Sequence, residues 1–447
     1  MDTKKDKILF VVSTLQHYCN FIKTGALKEI QDRVIFLIHP KLAKMDFGVP
    51  SDRIFFYSYS GKKDIFHRHV FNINSYLNRH KSSVFAFRLL RLKPRQLRIY
   101  RILAFPVLGS IVKSIFLKRA EDKSLFKLVQ KINPALIIVP SHAFEGMTFE
   151  LIKIAKKIKA QSFLLAEQWD TLPCKTVFTF KPDYVGVWSQ QGVEHAVNIR
   201  DMAPERVFIL GVPRFTDYLK PEARHLPSPY PFKYILYAGV SIQYNELAAL
   251  HKIDELIEKL GLDLKVIFRP AKAQRIQVCP DVFFEYDFKH VILDTPTRSY
   301  YKKGVGGDVI KDGFSSVFAF DQNHIARLLA NMEFMVSPFT TMVLEASLFD
   351  KKVFTLVYDD GFHASFSLKY LFKTLLHSKG IDGLKNMRMV HSFDDLEKIF
   401  SEGDQLKQSD VKLLDIDYFV SKEATANYPA NLRKVVETIL ENREPSL

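Results

Sequence analysis

A chain of 447 residues is too long for a single ordinary hydrophobic core, and its length predicts two domains of about 200 residues each. A hydrophobic content of 47% excludes an intrinsically disordered chain. The 64 Lys and Arg residues outnumber the 49 Asp and Glu residues, which gives a net charge of +15. Cys19, Cys174 and Cys279 form no CxxC pair, which argues against structural zinc and disulfides and favours a reducing cytoplasm.

Apolar, strand-like runs alternate with helical patterns from the N-terminus to about residue 210. Such runs predict a parallel sheet covered by helices on both faces. Residues 1–7 lack the apolar core of a signal peptide, which again favours the cytoplasm. The predicted strands are 8–12, 34–38, 53–57, 135–139, 162–166, 184–188 and 207–210, and the predicted helices are 19–31, 123–132 and 144–158.

The basic segment 79–119 interrupts this alternation. It contains eleven Lys or Arg residues and no Asp or Glu, interleaved with large apolar side chains. This composition predicts contact with an anionic membrane surface. Two alternatives are a helix face that packs on the protein by its apolar side and a nucleic-acid surface, but no nucleic-acid motif accompanies the segment, so no such partner is predicted. Its longest uncharged stretch, residues 102–112, is too short to cross a bilayer.

A cluster of five prolines between residues 213 and 231 marks a domain boundary. The sequence therefore predicts an N-terminal domain at 1–212, a linker at 213–232 and a C-terminal domain at 233–447. A second series of alternating elements fills the C-terminal domain, and helices are predicted to dominate after residue 357. Its predicted strands are 234–240, 264–268, 290–293 and 353–357, and its predicted helices are 251–260 and 325–331.

The segment 336–355 has the pattern of a strand, a hydroxyl-bearing turn, a helix and a strand. Ser337, Thr340 and Thr341 precede the helix, where hydroxyls and free backbone N–H groups form an anion site. Glu345 follows one turn later, within reach of a ribose hydroxyl. This combination suits a sugar nucleotide. The alternatives are an ordinary helix cap for the hydroxyls and an electrostatic role at the helix N-terminus for Glu345.

Further binding candidates follow the other strands of the C-terminal domain. Gly239 allows a phosphate or base to approach the backbone, and Ser241 lies beside it. Arg269 and Lys272, with Arg275 close by, supply cations for a nucleotide phosphate. The alternatives are a tight turn at Gly239 and an Arg269 that only ties its loop to a neighbouring carboxylate. The chain has no GxGxxG turn after its first strand and no GxxxxGK[ST] loop.

Three stretches of the chain resemble motifs of the GT-B glycosyltransferases, among them bacterial surface-polysaccharide transferases, CDP-glycerol glycerophosphotransferases and polysialyl and Kdo transferases. The stretches are Gly-Val-Pro-Arg-Phe at 211–215, Val-Ile-Phe-Arg-Pro at 266–270, and 337–345. The resemblance implies an α/β fold of two Rossmann-like domains facing across a cleft, with the acceptor on the first and the nucleotide sugar on the second. Ala271 replaces a histidine that contacts the donor's phosphates in those relatives, so that role does not transfer.

Glycosyl transfer needs a base for the acceptor hydroxyl, and two loops of the first domain offer one. We favour Asp170 as the base, with Glu167 and His142 as the next candidates. Candidate acceptor contacts are His17, Glu145 and Trp169. The alternatives are a capping or surface role for His17 and a core role for Trp169.

These features together predict a glycosyltransferase that moves a sugar from a nucleotide-sugar donor to a lipid-linked or surface polysaccharide. The only DxD-like pair at a strand exit is 359–360, in a run 359–363 that we place beside the donor's sugar, and we expect metal-independent transfer without a cofactor. We expect the enzyme at the inner face of the cytoplasmic membrane. The alternatives are a glycerol-phosphate transferase, a sugar-nucleotide epimerase, or a non-catalytic glycan-binding or scaffold protein.

Overall fold

The computed structural model describes residues 6–84, 92–141, 145–240, 244–271, 283, 286–297, 321–361, 367–402 and 413–442. These residues form two units. Unit 1 comprises the described residues up to 214 together with 375–377 and those from 417 onward. Unit 2 comprises the described residues of 215–374 and 378–416.

The secondary structure alternates between strands and helices in both units. The strands are β1 (Ile8–Val12), β2 (Val34–Ile38), β3 (Ile54–Phe56), β4 (Leu136–Ser141), β5 (Gln161–Ala166), β6 (Tyr184–Val187), β7 (Val207–Ile209), β8 (Tyr234–Ala238), β9 (Lys265–Arg269), β10 (Val291–Leu293), β11 (Met335–Pro338), β12 (Val353–Leu356) and β13 (Met387–Val390). The main helices are α1 (Gly61–Leu77), α2 (Pro94–Leu103), α3 (Pro106–Ala120), α4 (Lys123–Ile132), α5 (Gly146–Lys157), α6 (Gln190–Arg200), α7 (Glu246–Lys259), α8 (Gln322–Asn331), α9 (Met342–Leu348), α10 (Leu368–Thr374), α11 (Phe393–Glu402), α12 (Lys422–Ala426) and α13 (Tyr428–Glu441).

Unit 1 is built on a parallel sheet of seven strands in the order β3-β2-β1-β4-β5-β6-β7. All residues of β1, β2 and β4 are buried, as expected for Val- and Ile-rich strands covered on both faces. Ile8 of β1 is in register with Val34 of β2 and Leu136 of β4. Because the strands are parallel, all of them end at one edge of the sheet, which we call its carboxyl edge.

Unit 2 contains a parallel sheet of six strands in the order β10-β9-β8-β11-β12-β13. Its core joins strand residues such as Ile235, Val266 and Val336 to Leu250 and Ile253 on α7. Two parallel sheets with covering helices confirm the predicted α/β class. Ligand loops in such folds follow the carboxyl ends of the strands, so the carboxyl edge of each unit is where a site is expected.

Some local predictions differ from the structure. In place of a helix at 19–31, a turn of helix at Leu15–His17 leads into a π-helix at Tyr18–Ile22, and Gly25 has a φ of +68°, which a regular helix does not accommodate. Strand β13 was missed, because the methionines in its short sequence give a weak strand signal. Helices α12 and α13 belong to unit 1, whereas the sequence placed them in the C-terminal domain.

The predicted linker 213–232 includes two 3-10 turns, Pro213–Leu219 and Pro221–His225. Phe215 and Tyr218 are fully buried there, and their rings stack with centroids 5.3 Å apart. This part of the linker is therefore packed into unit 2 rather than extended.

The basic segment forms α2 and α3 in its described part. Among the described residues, no single helix is long and apolar enough to cross a membrane. The helices at Pro94–Leu103 and Val107–Ala120 meet the length and composition criteria only as a pair, which is bent by 102°.

Candidate functional site

Three predicted site residues meet at the carboxyl edge of unit 1. His17 follows β1, Glu145 follows β4, and Glu167 directly follows β5. Since β1, β4 and β5 are neighbours in the sheet, their exits converge. The Glu167 N–H donates to the carbonyl of Ser141 (3.4 Å), which ties the two exits together.

His17 and Glu167 form a buried pair. His17 Nε2 lies 3.2 Å from Glu167 Oε2, and both side chains are almost fully buried. The backbone N–H of Ser13 donates to His17 Nδ1 (3.3 Å), so the neutral ring carries its proton on Nε2 and donates it to Glu167. Burial lowers the pKa of His17, but the charge and hydrogen bond of Glu167 and the charge of Glu145 outweigh it, and the net pKa is raised.

Glu145 is held in place by its neighbours. The Ser141 hydroxyl donates to its carboxylate and lies 2.9 Å from the Thr148 hydroxyl. The next residue, Gly146, donates its backbone N–H to Asp64 of α1 (2.9 Å). The predicted base His142 lies between β4 and Glu145, outside the described residues.

Asp170 is paired with a permanently charged side chain. Lys175 Nζ lies 2.8 Å from Asp170 Oδ1, and the same ammonium group donates to Gln168. A neighbouring ammonium group stabilises the carboxylate and makes it a weaker base. The role of Asp170 as the base stays a prediction, but this pairing favours Glu167.

Trp169 is buried in unit 1. Its ring meets His377 edge-on with centroids 4.7 Å apart and lies 6.3 Å from Phe419. His377 Nδ1 in turn lies 2.9 Å from Cys174 Sγ. This packing matches the core alternative, and stacking of a sugar on Trp169 stays a prediction.

A small pocket opens beside Glu167 at the ends of β5, β6 and β7. The Arg214 guanidinium lies over the Trp188 ring at 5.0 Å, and both residues line the pocket. Gly211 has a φ of +75° and packs against Thr425 of α12, where a Cβ would collide with that residue. Tyr428 of α13 also lines this pocket, and no sequence signal connects a residue so distant in the chain to this site.

The predicted phosphate contacts of unit 2 lie at the turn from β11 into α9. Thr340 and Thr341 are partly exposed, and the Thr341 hydroxyl makes no capping hydrogen bond to α9 among the described residues. Ser337 differs from both, since it is fully buried and its hydroxyl donates to the Ala238 carbonyl (2.8 Å). The two threonines are therefore open to a ligand, while Ser337 joins β11 to β8.

Glu345, the predicted ribose contact, is buried and bonded within unit 2. The Tyr218 hydroxyl donates to Glu345 Oε2 (3.2 Å) and lies 2.8 Å from Gln322 Oε1. Tyr218 comes from the turn after the Gly-Val-Pro-Arg-Phe stretch. Within unit 2, this turn residue therefore packs against the motif containing Glu345.

Arg269 forms a buried ion pair with Asp294, the residue after β10. Asp294 also accepts from the Tyr230 hydroxyl (2.9 Å) and lies 2.7 Å from His324 Nε2. Burial raises the pKa of Asp294, but these partners outweigh it and the net pKa is lowered. The arrangement matches the alternative in which Arg269 ties its loop to a carboxylate. Lys272 and Arg275 lie outside the described residues.

Gly239 packs tightly against the loop after β9. A Cβ there would lie 3.0 Å from Ala271 N and 3.1 Å from Glu246 Oε2. This crowding alone accounts for a glycine at this position, with no need for a bound ligand. Glu246, which the sequence analysis missed, is buried at the start of α7, and its Oε1 accepts from the Val240 N–H (2.7 Å). Burial raises the pKa of Glu246 to about 8. Ser241 lies outside the described residues.

The run after β12 supports the start of α7. Asp360 accepts from the Asn245 N–H (3.0 Å), and Asp359 accepts from the Gly361 N–H (3.0 Å). The residues after Gly361, including His363, lie outside the described part. Within the described ranges, no group of three or more His, Cys, Asp or Glu side chains is arranged to hold a metal ion.

Solved structures match this chain over nearly its full length. The UDP-GlcNAc 2-epimerase of Methanocaldococcus jannaschii, in complex with UDP-GlcNAc and UDP, has a TM-score of 0.51 and 10% identity, with 96% of this chain and 99% of that chain covered. The UDP-GlcNAc 2-epimerase of Neisseria meningitidis has a TM-score of 0.48 and 12% identity over 98% and 100% of the two chains. The wall teichoic acid polymerase TagF has a TM-score of 0.45 and 11% identity over 98% and 90%.

The comparison with the archaeal enzyme and the two parallel sheets define the class of protein: the chain has the GT-B fold, with one Rossmann-like sheet in each unit. The predicted fold is thereby confirmed. No family model matches the sequence, and no curated protein matches it at a significant level.

Proposed function

We propose that this protein is a nucleotide-sugar-dependent glycosyltransferase that acts on a lipid-linked or surface polysaccharide acceptor. The observation that carries the proposal is the buried His17–Glu167 pair, with a separation of 3.2 Å, at the carboxyl edge of a Rossmann-like unit. Transfer to a hydroxyl requires such a fixed proton acceptor. The nucleotides named for the archaeal epimerase, UDP-GlcNAc and UDP, support a nucleotide-sugar donor.

The proposed reaction has a simple proton and electron balance. The acceptor oxygen bonds to the anomeric carbon while the bond from that carbon to the donor's phosphate breaks, and the phosphate leaves with the bonding electron pair. Glu167 takes the hydroxyl proton, and His17 holds its carboxylate in one orientation. We rank Glu167 ahead of Asp170, because Glu167 lines the pocket at the carboxyl edge, whereas Asp170 is bound to Lys175 at 2.8 Å.

The donor's phosphates are assigned to the turn before α9. The hydroxyls of Thr340 and Thr341 are partly exposed, and the positive end of a helix dipole favours anions. Because Arg269 is paired with Asp294, these dipoles carry more of the proposed phosphate binding than that cation does. The proposal includes transfer without a metal ion, and full activity in EDTA is the expected result.

A second candidate function is epimerisation of a sugar nucleotide. It is favoured by the fold, since the archaeal structure with the TM-score of 0.51 is a UDP-GlcNAc 2-epimerase of matching length. An epimerase needs no acceptor, so a new sugar nucleotide formed from UDP-GlcNAc alone would support it. A glycerol-phosphate transferase would instead consume CDP-glycerol and need an acceptor.

Nucleotide binding is the first experiment. Melting temperatures are measured with uridine, UMP, UDP, CMP, CDP, GDP and ADP, each with Mg²⁺ and with EDTA. A ligand that binds only the folded protein raises its melting temperature. We expect one diphosphate to stabilise the protein in EDTA and its nucleoside to have no effect. No shift with any nucleotide would contradict the proposal and favour a non-catalytic glycan-binding or scaffold protein.

The cellular location belongs to the same proposal. An enzyme that modifies a lipid-linked acceptor is expected at the inner face of the cytoplasmic membrane, where anionic lipids attract basic segments. The basic segment 79–119, without a single Asp or Glu, supports that location.

A further inference from the structure

An unusual apolar surface lies on α2, α3 and the turn between them. Phe105, in that turn, is 64% exposed, and Val107 at the start of α3 is 76% exposed. Large exposed apolar side chains in one patch mark an interaction site on a protein surface. The patch, which we call the apolar ridge, consists of Ile99, Ile102, Phe105, Val107, Leu108, Ile111 and Ile115.

The ridge is the outer face of a helix pair whose inner face is already packed. Phe116 of α3 stacks on His69 of α1 with centroids 5.2 Å apart and lies 5.9 Å from Phe66. The Tyr100 hydroxyl of α2 lies 2.9 Å from His69 Nδ1. Packing on α1 therefore accounts for Tyr100 and Phe116 but leaves the ridge exposed to solvent.

The spacing of the ridge follows the helical repeat. Val107, Ile111 and Ile115 are four residues apart and therefore form one line along α3. Ile99 and Ile102 are three residues apart on α2. The two lines belong to one bent pair of helices with an angle of 102°.

Exposed cations flank the ridge. Arg95, Arg98 and Arg101 are exposed on α2, and Lys118 and Arg119 are exposed at the end of α3. No Asp or Glu lies between residues 79 and 119 to neutralise them. Long basic side chains can extend their charges toward phosphates while their stems cover apolar surface.

We propose that the apolar ridge inserts into the headgroup region of an anionic bilayer, with the flanking arginines on lipid phosphates. α2 carries both apolar and basic exposed side chains, and α3 adds further exposed apolar side chains; helices that combine apolar and basic surface bind membranes parallel to the surface. The bend of 102° between the two short helices forms a corner, and both arms of such a corner can lie along the surface. This inference is independent of the sugar chemistry proposed above.

Charge argues against a second copy of this chain as the occupant. A symmetric dimer through the ridge would bring the same arginines of both copies together. The net charge of +15 per chain adds to that repulsion. An anionic bilayer offers both an apolar layer and the opposite charge.

Vesicle sedimentation tests the proposal with three matched variants. The first replaces Val107, Leu108 and Ile111 with Ser, and the second replaces Arg95, Arg98 and Arg101 with Gln. The control replaces three exposed lysines elsewhere in unit 1 with Gln, namely Lys127, Lys131 and Lys156. Vesicles contain phosphatidylcholine with or without phosphatidylglycerol.

We expect the wild type to pellet with phosphatidylglycerol vesicles and the arginine variant to bind about 100-fold more weakly, since each basic residue near an anionic surface contributes severalfold. The serine variant is expected to lose binding, and the lysine control to change by less than about tenfold. Unchanged binding of the serine variant, or equal losses in the arginine variant and the lysine control, would overturn the proposal.

A fluorescence measurement locates the inserted side chain. Both native tryptophans, Trp169 and Trp188, are buried, so a Val107→Trp variant adds the single exposed indole. Brominated lipids are expected to quench this added fluorescence. Absence of quenching, or a lipid-free dimer that the serine substitutions convert to a monomer, would contradict insertion.

Discussion

His17 Nε2 lies 3.2 Å from Glu167 Oε2, and the same ring accepts the Ser13 N–H on Nδ1. The second contact assigns the proton of the neutral ring to Nε2, so the imidazole donates to the carboxylate. Burial of both side chains keeps the pair in this one arrangement. Asp170, three residues further along the same loop, is paired with Lys175 instead, so the two carboxylates can be distinguished by mutation.

Replacing Glu167 with Gln should lower kcat by roughly 10²- to 10⁴-fold, because the amide keeps the shape of the side chain but cannot take the acceptor's proton. Donor binding should change little, since Glu167 lies in unit 1. The matched Asp170→Asn variant should lose less than about tenfold in kcat, because it removes only the charge that faces Lys175. Both variants are compared by initial rates at saturating donor and acceptor.

Melting temperatures of the two variants provide the control for folding. The reverse result, a large loss in kcat for Asp170→Asn and none for Glu167→Gln, would restore Asp170 as the base. Comparable melting temperatures would then show that the difference arises in the reaction rather than in stability.

Glu246 should make the stability of unit 2 depend on pH. Its pKa is about 8 in the folded protein against an ordinary value of 4.5, so the folded state binds the proton more tightly. The contribution of this group is therefore complete below about pH 4.5 and decreases as the pH rises to about 8. The facing tyrosines, Tyr237 and Tyr244, have pKa values raised by burial, so they stay neutral over this range.

The Glu246→Gln variant removes the titration and keeps an oxygen for the Val240 N–H. Its free energy of unfolding in urea should exceed that of the wild type at pH 8.5 and approach it at pH 5. The exposed Glu441→Gln variant serves as the control and should follow the wild type at every pH. Parallel pH profiles for wild type and Glu246→Gln would refute the assignment.

Asp294 should contribute far more to stability than a surface carboxylate. Changing it to Asn leaves Arg269 buried without its counter-charge, a defect that costs about 3–5 kcal/mol. The control is Asp350→Asn, which breaks an exposed pair with Arg224 (3.0 Å) and should cost less than about 1 kcal/mol. Urea unfolding measures both. Equal costs would mean that the Asp294 network contributes little to folding.

Periodicity in the sequence was sufficient to predict the two sheets. Runs such as 8–12 and 34–38 are apolar throughout, which is typical of strands buried on both faces. Strand β13 was missed because Met387–Val390 lacks a β-branched run. The predicted helix at 19–31 was wrong because Gly25 adopts a positive φ. The local sequence pattern therefore predicts a strand or helix correctly where the residue composition and the backbone conformation of each residue favour the same element.

The site was harder to predict than the fold. His17, Glu145 and Glu167 could be nominated because each follows a strand of one parallel sheet. Their pairing, however, depends on the sheet order that makes β1, β4 and β5 neighbours. Asp294, Glu246 and Tyr218 were missed, because their roles arise from hydrogen-bond partners 25, 6 and 127 residues away. A motif search does not report such contacts.

The hydroxyls of Thr341 and Ser337, both before α9, should have different roles: that of Thr341 binds the nucleotide, and that of Ser337 stabilises the fold. Thr341 is partly exposed, and its side chain does not cap α9 in the described structure. Ser337 is fully buried, and its hydroxyl donates to the Ala238 carbonyl (2.8 Å). Thr341→Val, which keeps the shape of the side chain, should weaken nucleotide binding by about tenfold and leave stability nearly unchanged, as expected for a lost hydrogen bond to a charged phosphate.

Ser337→Ala should show the opposite behaviour. It removes a buried hydrogen bond between β11 and β8 and should cost about 1 kcal/mol of unfolding free energy, with nucleotide affinity unchanged. Calorimetric titration with the nucleotide found in the melting panel measures affinity, and urea unfolding measures stability. Thr438→Val, at a partly exposed position of α13, is the control for the threonine change. If Thr341→Val binds as tightly as this control, the turn before α9 does not hold the phosphates, whereas weaker binding confined to Thr341→Val assigns them there.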